Sequence, residues 1–155
     1  MTAATASARS QYATFRVAGH YLGIGVLEVQ EVLREQRTTP VPLAPQVVAG
    51  LINLRGQIVP ELDLRSVLEL PPRPPDSPSF SVVIHTEHGP VSLRVDEIDD
   101  VLELDASSFE HAPQNVDAHL RSLLLGVHKL PQRLLLILDI RRTVDVERIH
   151  YANTD

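Results

Sequence analysis

The stretch from Gly50 to Arg65 reads Gly-Leu-Ile-Asn-Leu-Arg-Gly-Gln-Ile-Val-Pro-Glu-Leu-Asp-Leu-Arg. It contains two apolar runs, Gly50–Leu54 and Ile58–Leu64, which are separated by a turn at Arg55-Gly56. Gly56 can adopt the positive φ that a tight connection between two strands needs. The stretch therefore predicts a β-hairpin with Arg55 at its tip. An always-charged guanidinium at that position suits partner binding or a specific carboxylate contact.

The composition indicates a globular β protein. A chain of 155 residues forms one domain or two small subdomains and can bury a core of its own. Hydrophobic residues make up 43% of the chain and aromatic residues only 4%. The core must therefore consist of Val, Leu and Ile, and the β-branched members of that set favour strands. The net charge of −6 and the lack of a basic patch argue against nucleic-acid binding.

Several other classes are excluded by what the chain lacks. It has no cysteine, which rules out disulfides, thiolate zinc sites and thiol nucleophiles. Met1–Ser10 is small and polar and has no apolar core of a signal peptide. No stretch approaches the roughly 20 apolar residues of a membrane span. The sequence therefore predicts a cytoplasmic protein.

The chain contains a faint internal repeat, which predicts two halves with one β plan. Glu28–Leu33 matches Glu97–Leu102 at a shift of 69 positions (28 to 97). Gly50 and Leu62–Arg65 match Gly126 and Leu138–Arg141 at a shift of 76 positions (50 to 126). We expect Gly126 to lie near a turn as Gly50 does. The predicted halves span about 11–70 and 79–148, with strands possibly exchanged between them, and tails at 1–10 (disordered) and 149–155.

Each half is predicted to open with two strands and to close with one. The opening strands are Ala13–Ala18 and Gly23–Leu33 around a turn at Gly19-His20, then Phe80–His85 and Val91–Leu104 around Glu87–Pro90. The closing strands are Gln57–Leu62 and Arg133–Leu138. Alternation along Val91, Leu93 and Val95 points these side chains to one face.

Short helices are predicted between and after these strands. One begins at Pro45 and runs through Ala49; another is capped by Asn115, carries Leu120, Leu123 and Leu124, and ends at Gly126. Asp63 and Asp139 follow the closing strands and can cap the helical turns after them. Leu70–Pro78 holds five prolines and is typical of a semi-rigid surface link, or of a ligand for a proline-reading domain.

Residues that could carry catalysis are sparse. Glu61 and Asp63 alternate along one strand and could form an acid–base pair, but the repeat makes Asp63 a helix cap and leaves Glu61 without a partner. The seven histidines are scattered, and His85 and His88 have no third ligand at useful spacing. No phosphate-binding glycine loop or nucleophile elbow is present. We expect no enzyme activity, no metal and no cofactor.

The chain resembles the CheW family, the small adaptors that couple chemotaxis receptors to their histidine kinase. The resemblance covers about Tyr12 to Val146. Its best motifs are Val29-Gln30-Glu31-Val32, Gly50-Leu51-Ile52-Asn53-Leu54-Arg55-Gly56, and Ile58-Val59-Pro60 with Leu62-Asp63-Leu64-Arg65. Weaker matches are Val95–Ile98 with Val101-Leu102, and Leu135–Ile140.

The resemblance implies a mainly β fold of two intertwined five-stranded, SH3-like β-barrels with a few short helices. It implies a non-enzymatic scaffold that binds the cytoplasmic tip of methyl-accepting chemoreceptors and the regulatory domain of a CheA-type histidine kinase. Such a protein is recruited to receptor arrays at the membrane without inserting into it, and needs no homo-oligomer.

The resemblance also assigns site residues. Glu31 and Arg55 match an acid and a base that face each other across the first barrel, and the other implied receptor-binding residues are Val29, Gly50 and Asn53. Barrel packing is an alternative for Val29, turn geometry for Gly50, and organisation of the turn for Asn53. The implied kinase-binding residues are Val32 and Ile52. Leu22 and Gly25 depart from the family pattern, in which an aromatic residue and a polar residue or proline are usual at these positions.

Two other functions stay open beside the coupling adaptor. One is a regulatory domain detached from a larger kinase, or a divergent adaptor of a non-motility system that binds only one partner. The start at Met1, the length and the lack of a phospho-acceptor domain favour the stand-alone adaptor. The other is a hydrolase using Glu61 or a histidine, for which the sequence offers no geometry.

Overall fold

The computed structural model describes residues 9–144 and is built almost entirely from short strands. The strands are β1 (Arg9–Val17), β2 (His20–Gly25), β3 (Val29–Arg34), β4 (Val48–Leu54), β5 (Gln57–Asp63), β6 (Phe80–Ile84), β7 (Val91–Val95), β8 (Glu97–Asp105), β9 (Phe109–Glu110), β10 (Leu124–Leu130) and β11 (Arg133–Leu138). Three short α-helices, α1 (Leu64–Val67), α2 (Ala118–Ser122) and α3 (Ile140–Thr143), and two 3₁₀ turns, Val26–Glu28 and Ala106–Ser108, connect them.

The strands form two sheets, and each sheet takes strands from both halves of the chain. The first barrel is the five-stranded sheet in the order β3-β6-β7-β5-β4. The second barrel is the six-stranded sheet in the order β8-β1-β2-β11-β10-β9, in which β9 has only two residues. The hairpin β1–β2 therefore completes the barrel of the second half, and the hairpin β6–β7 completes that of the first.

Strand pairing confirms the internal repeat. Gly50 pairs with Glu61 across β4 and β5, and Gly126 pairs with Ile137 across β10 and β11. Both glycines lie at a shift in register, a β-bulge within a strand. The expectation that Gly126 stands near a turn, as Gly50 does, is therefore wrong. Gly50 and Gly126 therefore occupy equivalent bulges within strands rather than turns at which the chain reverses.

The predicted helix caps are confirmed. Asp63 Oδ1 accepts a hydrogen bond from the Arg65 N–H at 3.1 Å and begins α1. Asp139 Oδ1 accepts one from the Arg142 N–H at 3.2 Å and begins α3. Each carboxylate satisfies a backbone donor that has no partner inside so short a helix.

Other predicted elements are wrong in their bounds. The segment after Pro45 forms a turn and then enters β4 at Val48, because Val48–Leu54 finds a strand partner in β5. Asp117, not Asn115, caps α2, and Leu124 belongs to β10. The run 23–33 is interrupted by the 3₁₀ turn Val26–Glu28, and the run 91–104 is interrupted at 96.

The first turn and the N-terminal bound also differ from expectation. Positive φ values fall at Ala18 and Gly19, so the β1–β2 turn lies one residue earlier than predicted. Strand β1 begins at Arg9, inside the segment predicted to be a disordered tail. The rest of that segment, and the predicted tail at 149–155, lie outside the described residues.

The largest apolar core lies where the two barrels pack together. It includes the predicted inward stripe Val91, Leu93 and Val95, each at most 4% exposed, and Leu22, Leu62 and Leu136. Smaller clusters fill each barrel: Ile52, Leu54, Val59 and Val83 in the first, and Tyr21, Leu135 and Ile137 in the second. The shared core binds the barrels into one hydrophobic unit.

A polar clasp also joins the barrels at the β7–β8 crossover. The Arg65 guanidinium of α1 donates to Asp96 at 2.6 Å, and Asp96 also accepts a 2.7 Å hydrogen bond from the Ala18 N–H. Arg65 further donates to the carbonyl of Pro71 in the proline-rich link. No helix within residues 9–144 is long and apolar enough to cross a membrane.

Candidate functional site

The tip of the β4–β5 hairpin presents Arg55 to solvent, as predicted. Arg55 and Gly56 have φ values of 52° and 87°, which is the left-handed pair of a type I′ hairpin turn. The side-chain amide oxygen of Asn53, Oδ1, accepts a hydrogen bond from the Gly56 N–H at 2.9 Å. Asn53 therefore organises the turn, which aims the Arg55 side chain; this side chain is 75% exposed.

Arg55 forms a two-bonded ion pair with Glu31 of β3. The Nη1–Oε2 distance is 2.6 Å and the Nη2–Oε1 distance is 2.8 Å, so the guanidinium and the carboxylate meet face to face. The hydrogen bonds from Arg55 lower the pKa of Glu31 below its ordinary value. The same bonds raise the pKa of Arg55. Both groups stay charged at neutral pH.

The ion pair joins the two edges of the first barrel. Glu31 lies on β3 at one edge of the five-stranded sheet, and Arg55 follows β4 at the other edge. The Thr39–Leu51 bridge is a second contact along the same edge of β4. Because solvent screens an exposed pair, its main effect is to orient the two side chains rather than to hold the barrel together.

Gly50 is required by a close approach of backbone. Its φ is +151°, and a Cβ atom there would lie 2.6 Å from the Thr39 carbonyl oxygen. Neither a left-handed turn nor a partner contact is needed to explain the residue. A role for Gly50 in receptor binding stays a prediction.

The apolar residues of the predicted site separate into buried and exposed ones. Val29 is partly buried and packs against the shared core, while Val32 is 41% exposed on β3. Ile52 is only 1% exposed inside the first barrel, which argues against a direct contact; its role in kinase binding stays a prediction. Two-residue alternation along β4 turns Ile52 inward with Leu54.

Ile58 is an exposed apolar residue that the sequence analysis missed. It is 59% exposed and pairs with Asn53, next to the hairpin tip. The signal was available in the alternation of β5, because Val59 and Glu61 face inward and place Ile58 on the outer face.

Glu61 has partners, contrary to the expectation that it has none. Its side chain is fully buried in the first barrel and forms an ion pair with Arg94 at 2.8 Å. Ser92 Oγ donates to it at 2.8 Å, and Ser81 Oγ donates as well. All three partners lie on the exchanged hairpin β6–β7. A carboxylate saturated by hydrogen bonds and closed to solvent suits structure rather than acid–base catalysis.

No group of three or more His, Cys, Asp and Glu side chains between Arg9 and Val144 is arranged to hold a metal ion. His85 and His88 flank the β6–β7 turn and line an open groove of about 470 Å³ with Ile140 and the exposed Glu87–Arg141 ion pair.

Known proteins resemble the chain over almost its whole length. The sequence model of the CheW-like domain matches residues 11–148. The chemotaxis protein CheW of Bacillus subtilis is 32% identical over 141 residues, covering 91% of this chain and 90% of the relative. That of Klebsiella aerogenes is 29% identical over 139 residues, covering 90% and 84%.

A solved structure shares the fold. The scaffolding protein TtCheW of Thermoanaerobacter tengcongensis superimposes with a TM-score of 0.79 at 24% identity, covering 90% of this chain and 94% of that one. The two exchanged barrels, the Asn53–Gly56 tip and the family match over residues 11–148 lead to one conclusion. The chain belongs to the CheW-like domain family.

Proposed function

We propose that this protein is a non-enzymatic coupling adaptor that links methyl-accepting chemoreceptors to a CheA-type histidine kinase. Family membership over residues 11–148 is the observation that carries the proposal. The two relatives named above are chemotaxis proteins, and their similarity to this chain covers more than four-fifths of their own length. The protein acts in the cytoplasm and joins receptor arrays through its partners.

The receptor-binding face of this proposal centres on the hairpin tip. The Arg55 side chain is 75% exposed while Glu31 fixes its direction, so the pair can present one charge in one orientation. Asn53 shapes the turn behind it, and Val29 and Gly50 complete the proposed set from β3 and β4. Orientation by a neighbouring carboxylate favours a specific contact over general electrostatic attraction.

The kinase-binding face uses exposed apolar side chains of the same barrel. Val32 keeps its assignment to this face, and Ile58 replaces the buried Ile52. Apolar side chains that are singly exposed are ordinary on protein surfaces, so the proposal rests on their place in the family fold rather than on exposure alone.

The deciding experiment is calorimetric titration of the full chain with the regulatory domain of the CheA-type kinase from the same organism. Saturable 1:1 binding is expected, and Ile58→Asp should weaken it while Leu125→Asp on the second barrel serves as the exposed-leucine control. Capture by a receptor tip is then tested with Arg55→Glu. A folded protein that binds neither partner would overturn the proposal, and one that binds a single partner would restrict it to that partner.

A further inference from the structure

The second barrel buries a histidine that no part of the proposed adaptor function uses. His128 of β10 is 1% exposed. Its Nδ1 lies 2.7 Å from Ser108 Oγ, in the 3₁₀ turn before β9, and its Nε2 lies 3.3 Å from Tyr12 Oη on β1. The imidazole therefore spans the barrel interior. It connects the 3₁₀ turn that contains Ser108 to strand β1, which is not a neighbour of β10 in the sheet.

The surroundings of His128 are aromatic and apolar. The rings of Tyr12 and Phe109 pack edge-on against the imidazole at centroid distances of 5.2 and 5.3 Å. A cavity of about 360 Å³ beside it is lined mainly by apolar side chains, among them Leu104, Leu125 and Ile137. A charge at this position would lose most of its hydration, and burial accordingly lowers the pKa of His128.

The first barrel has no counterpart of this group. Gly50 and Gly126 occupy equivalent bulges, which makes Ile52 the equivalent of His128, two residues further along the strand. Ile52 belongs to an apolar cluster with Leu54, Val59 and Val83. Of the two equivalent positions, only the one in the second barrel, His128, therefore carries an ionisable side chain.

The element that His128 holds has few other attachments. Strand β9 pairs with β10 at two positions only, Val127 with Glu110 and His128 with Phe109. Ser108 hydrogen bonds to His128 and to the nearby carbonyl of Asp105. An exposed Lys129–Glu110 ion pair at 3.6 Å adds little stability. Besides these, the Asp105 carboxylate caps the Ser107 N–H and Phe109 packs on Gly126, so the imidazole contacts are among a small set that keeps the segment 106–110 in place.

We propose that His128 is an acid-sensitive latch: its neutral imidazole holds the segment 106–110 against the second barrel, and binding of a proton releases that segment. In the neutral ring one nitrogen donates a hydrogen bond and the other accepts one. A proton taken from water converts the acceptor nitrogen into a second donor. Both hydroxyl oxygens can still accept, but the positive charge is left among Tyr12, Phe109 and the apolar wall, and opening to water relieves it.

The charged groups facing this site stabilise a protonated imidazole only weakly. Glu28 lines the same cavity, and burial raises the pKa of its carboxyl, so it loses its compensating negative charge as the pH falls. Lys129 and Glu110 pair with each other on the outside of the strand.

Hydrogen exchange of the full chain tests the latch. We expect amides of residues 106–110 to lose protection as the pH falls from about 7 toward about 5, after correction for intrinsic exchange rates. Once the pH is below about 6.5, the pKa of a histidine in the unfolded state, the loss should reach up to tenfold per pH unit. Amides of the β4–β5 hairpin should not respond. Unchanged protection at 106–110 over that range would overturn the proposal.

Three variants separate His128 from its neighbours. His128→Leu, which copies the apolar character of Ile52, should remove the pH response, whereas His111→Leu at an exposed histidine should keep it. Glu28→Gln should also keep it, and loss of the response in that variant would overturn the proposal. If His128→Leu does not fold, NMR titration of the wild-type imidazole decides: an ordinary or raised pKa for His128 contradicts the latch.

Discussion

Arg55 and Glu31 form a face-to-face ion pair, with N–O distances of 2.6 and 2.8 Å, that bridges the two edge strands of the first barrel. The pair is exposed on the arginine side, at 75%, and largely covered on the glutamate side, at 19%. This asymmetry leaves the cation free for a partner while the anion fixes its direction. Substitutions here should therefore affect binding more than folding.

Arg55→Glu should leave the protein folded and abolish receptor capture, because it places two carboxylates together on an exposed tip. Thermal denaturation and a receptor pull-down measure the two effects. Arg141→Glu is the matched control, since Arg141 forms a similarly exposed pair with Glu87 at 2.5 Å elsewhere on the surface. Unfolding by Arg55→Glu alone would make Arg55 a structural residue, and equal loss of capture in both variants would point to net charge rather than to the tip.

Arg55→Ala should raise the pKa of Glu31 toward its ordinary value, because hydrogen bonds from Arg55 hold it down. A depressed pKa means that the folded state binds this proton less tightly than the unfolded state. The resulting stabilisation is present above the unfolded value of about 4.3 and is lost as the pH falls through the folded-state pKa. Carboxyl NMR titration checks this, and the control Arg141→Ala should raise the pKa of Glu87 instead. A Glu31 pKa that does not move would mean that the pair does not form in solution.

Gly50→Ala should destabilise the protein by at least about 2 kcal/mol, because it combines a strained φ with a backbone clash. The added Cβ would lie 2.6 Å from the Thr39 carbonyl oxygen, which cannot move aside as a side chain could. Gly23→Ala is the control, since its Cβ would meet flexible ends of Leu135 and Ile137 no closer than 3.3 Å. Urea denaturation compares the two. A stable Gly50→Ala protein that fails to bind receptor would instead assign Gly50 to the binding face.

Glu61→Leu should cost about 3–5 kcal/mol, because it leaves Arg94 without its anion inside the first barrel. The paired change of Glu61 and Arg94 to Leu should cost less than the sum of the two single changes, since it leaves neither charge unpaired. Denaturation of all three variants gives the coupling energy. Additive effects would show that the two side chains do not interact, contrary to their 2.8 Å contact.

Leu136→Asp should prevent folding, because Leu136 is 5% exposed within the core that both barrels share. A buried carboxylate without a partner is among the costliest single changes. Leu125→Asp is the control on the same barrel, as Leu125 is 56% exposed and a carboxylate there stays hydrated. Circular dichroism and size-exclusion chromatography distinguish the outcomes, and a folded Leu136→Asp protein would contradict the shared core.

Features set by local chemistry could be predicted from the sequence. Arg55-Gly56 forms the expected turn, and Asp63 and Asp139 cap the expected helices, because each depends on residues adjacent in the chain. The helix expected after Pro45 failed because the β-branched Val48 favours a strand and pairs with Leu62 of β5, which outweighs the helix start that Pro45 offers.

The sequence by itself determined the β character, the duplicated plan, the hairpin tip and the helix caps, since hydrophobic alternation and turn chemistry act within a few residues. Only the tertiary structure decided that Glu61 meets Arg94 and that His128 reaches Tyr12. These contacts join strands far apart in the chain, and exchange of the β1–β2 and β6–β7 hairpins between barrels brings both of them about. A buried polar side chain is stable only if its partners arrive from elsewhere in the fold, so its role cannot be inferred from its own neighbours in sequence.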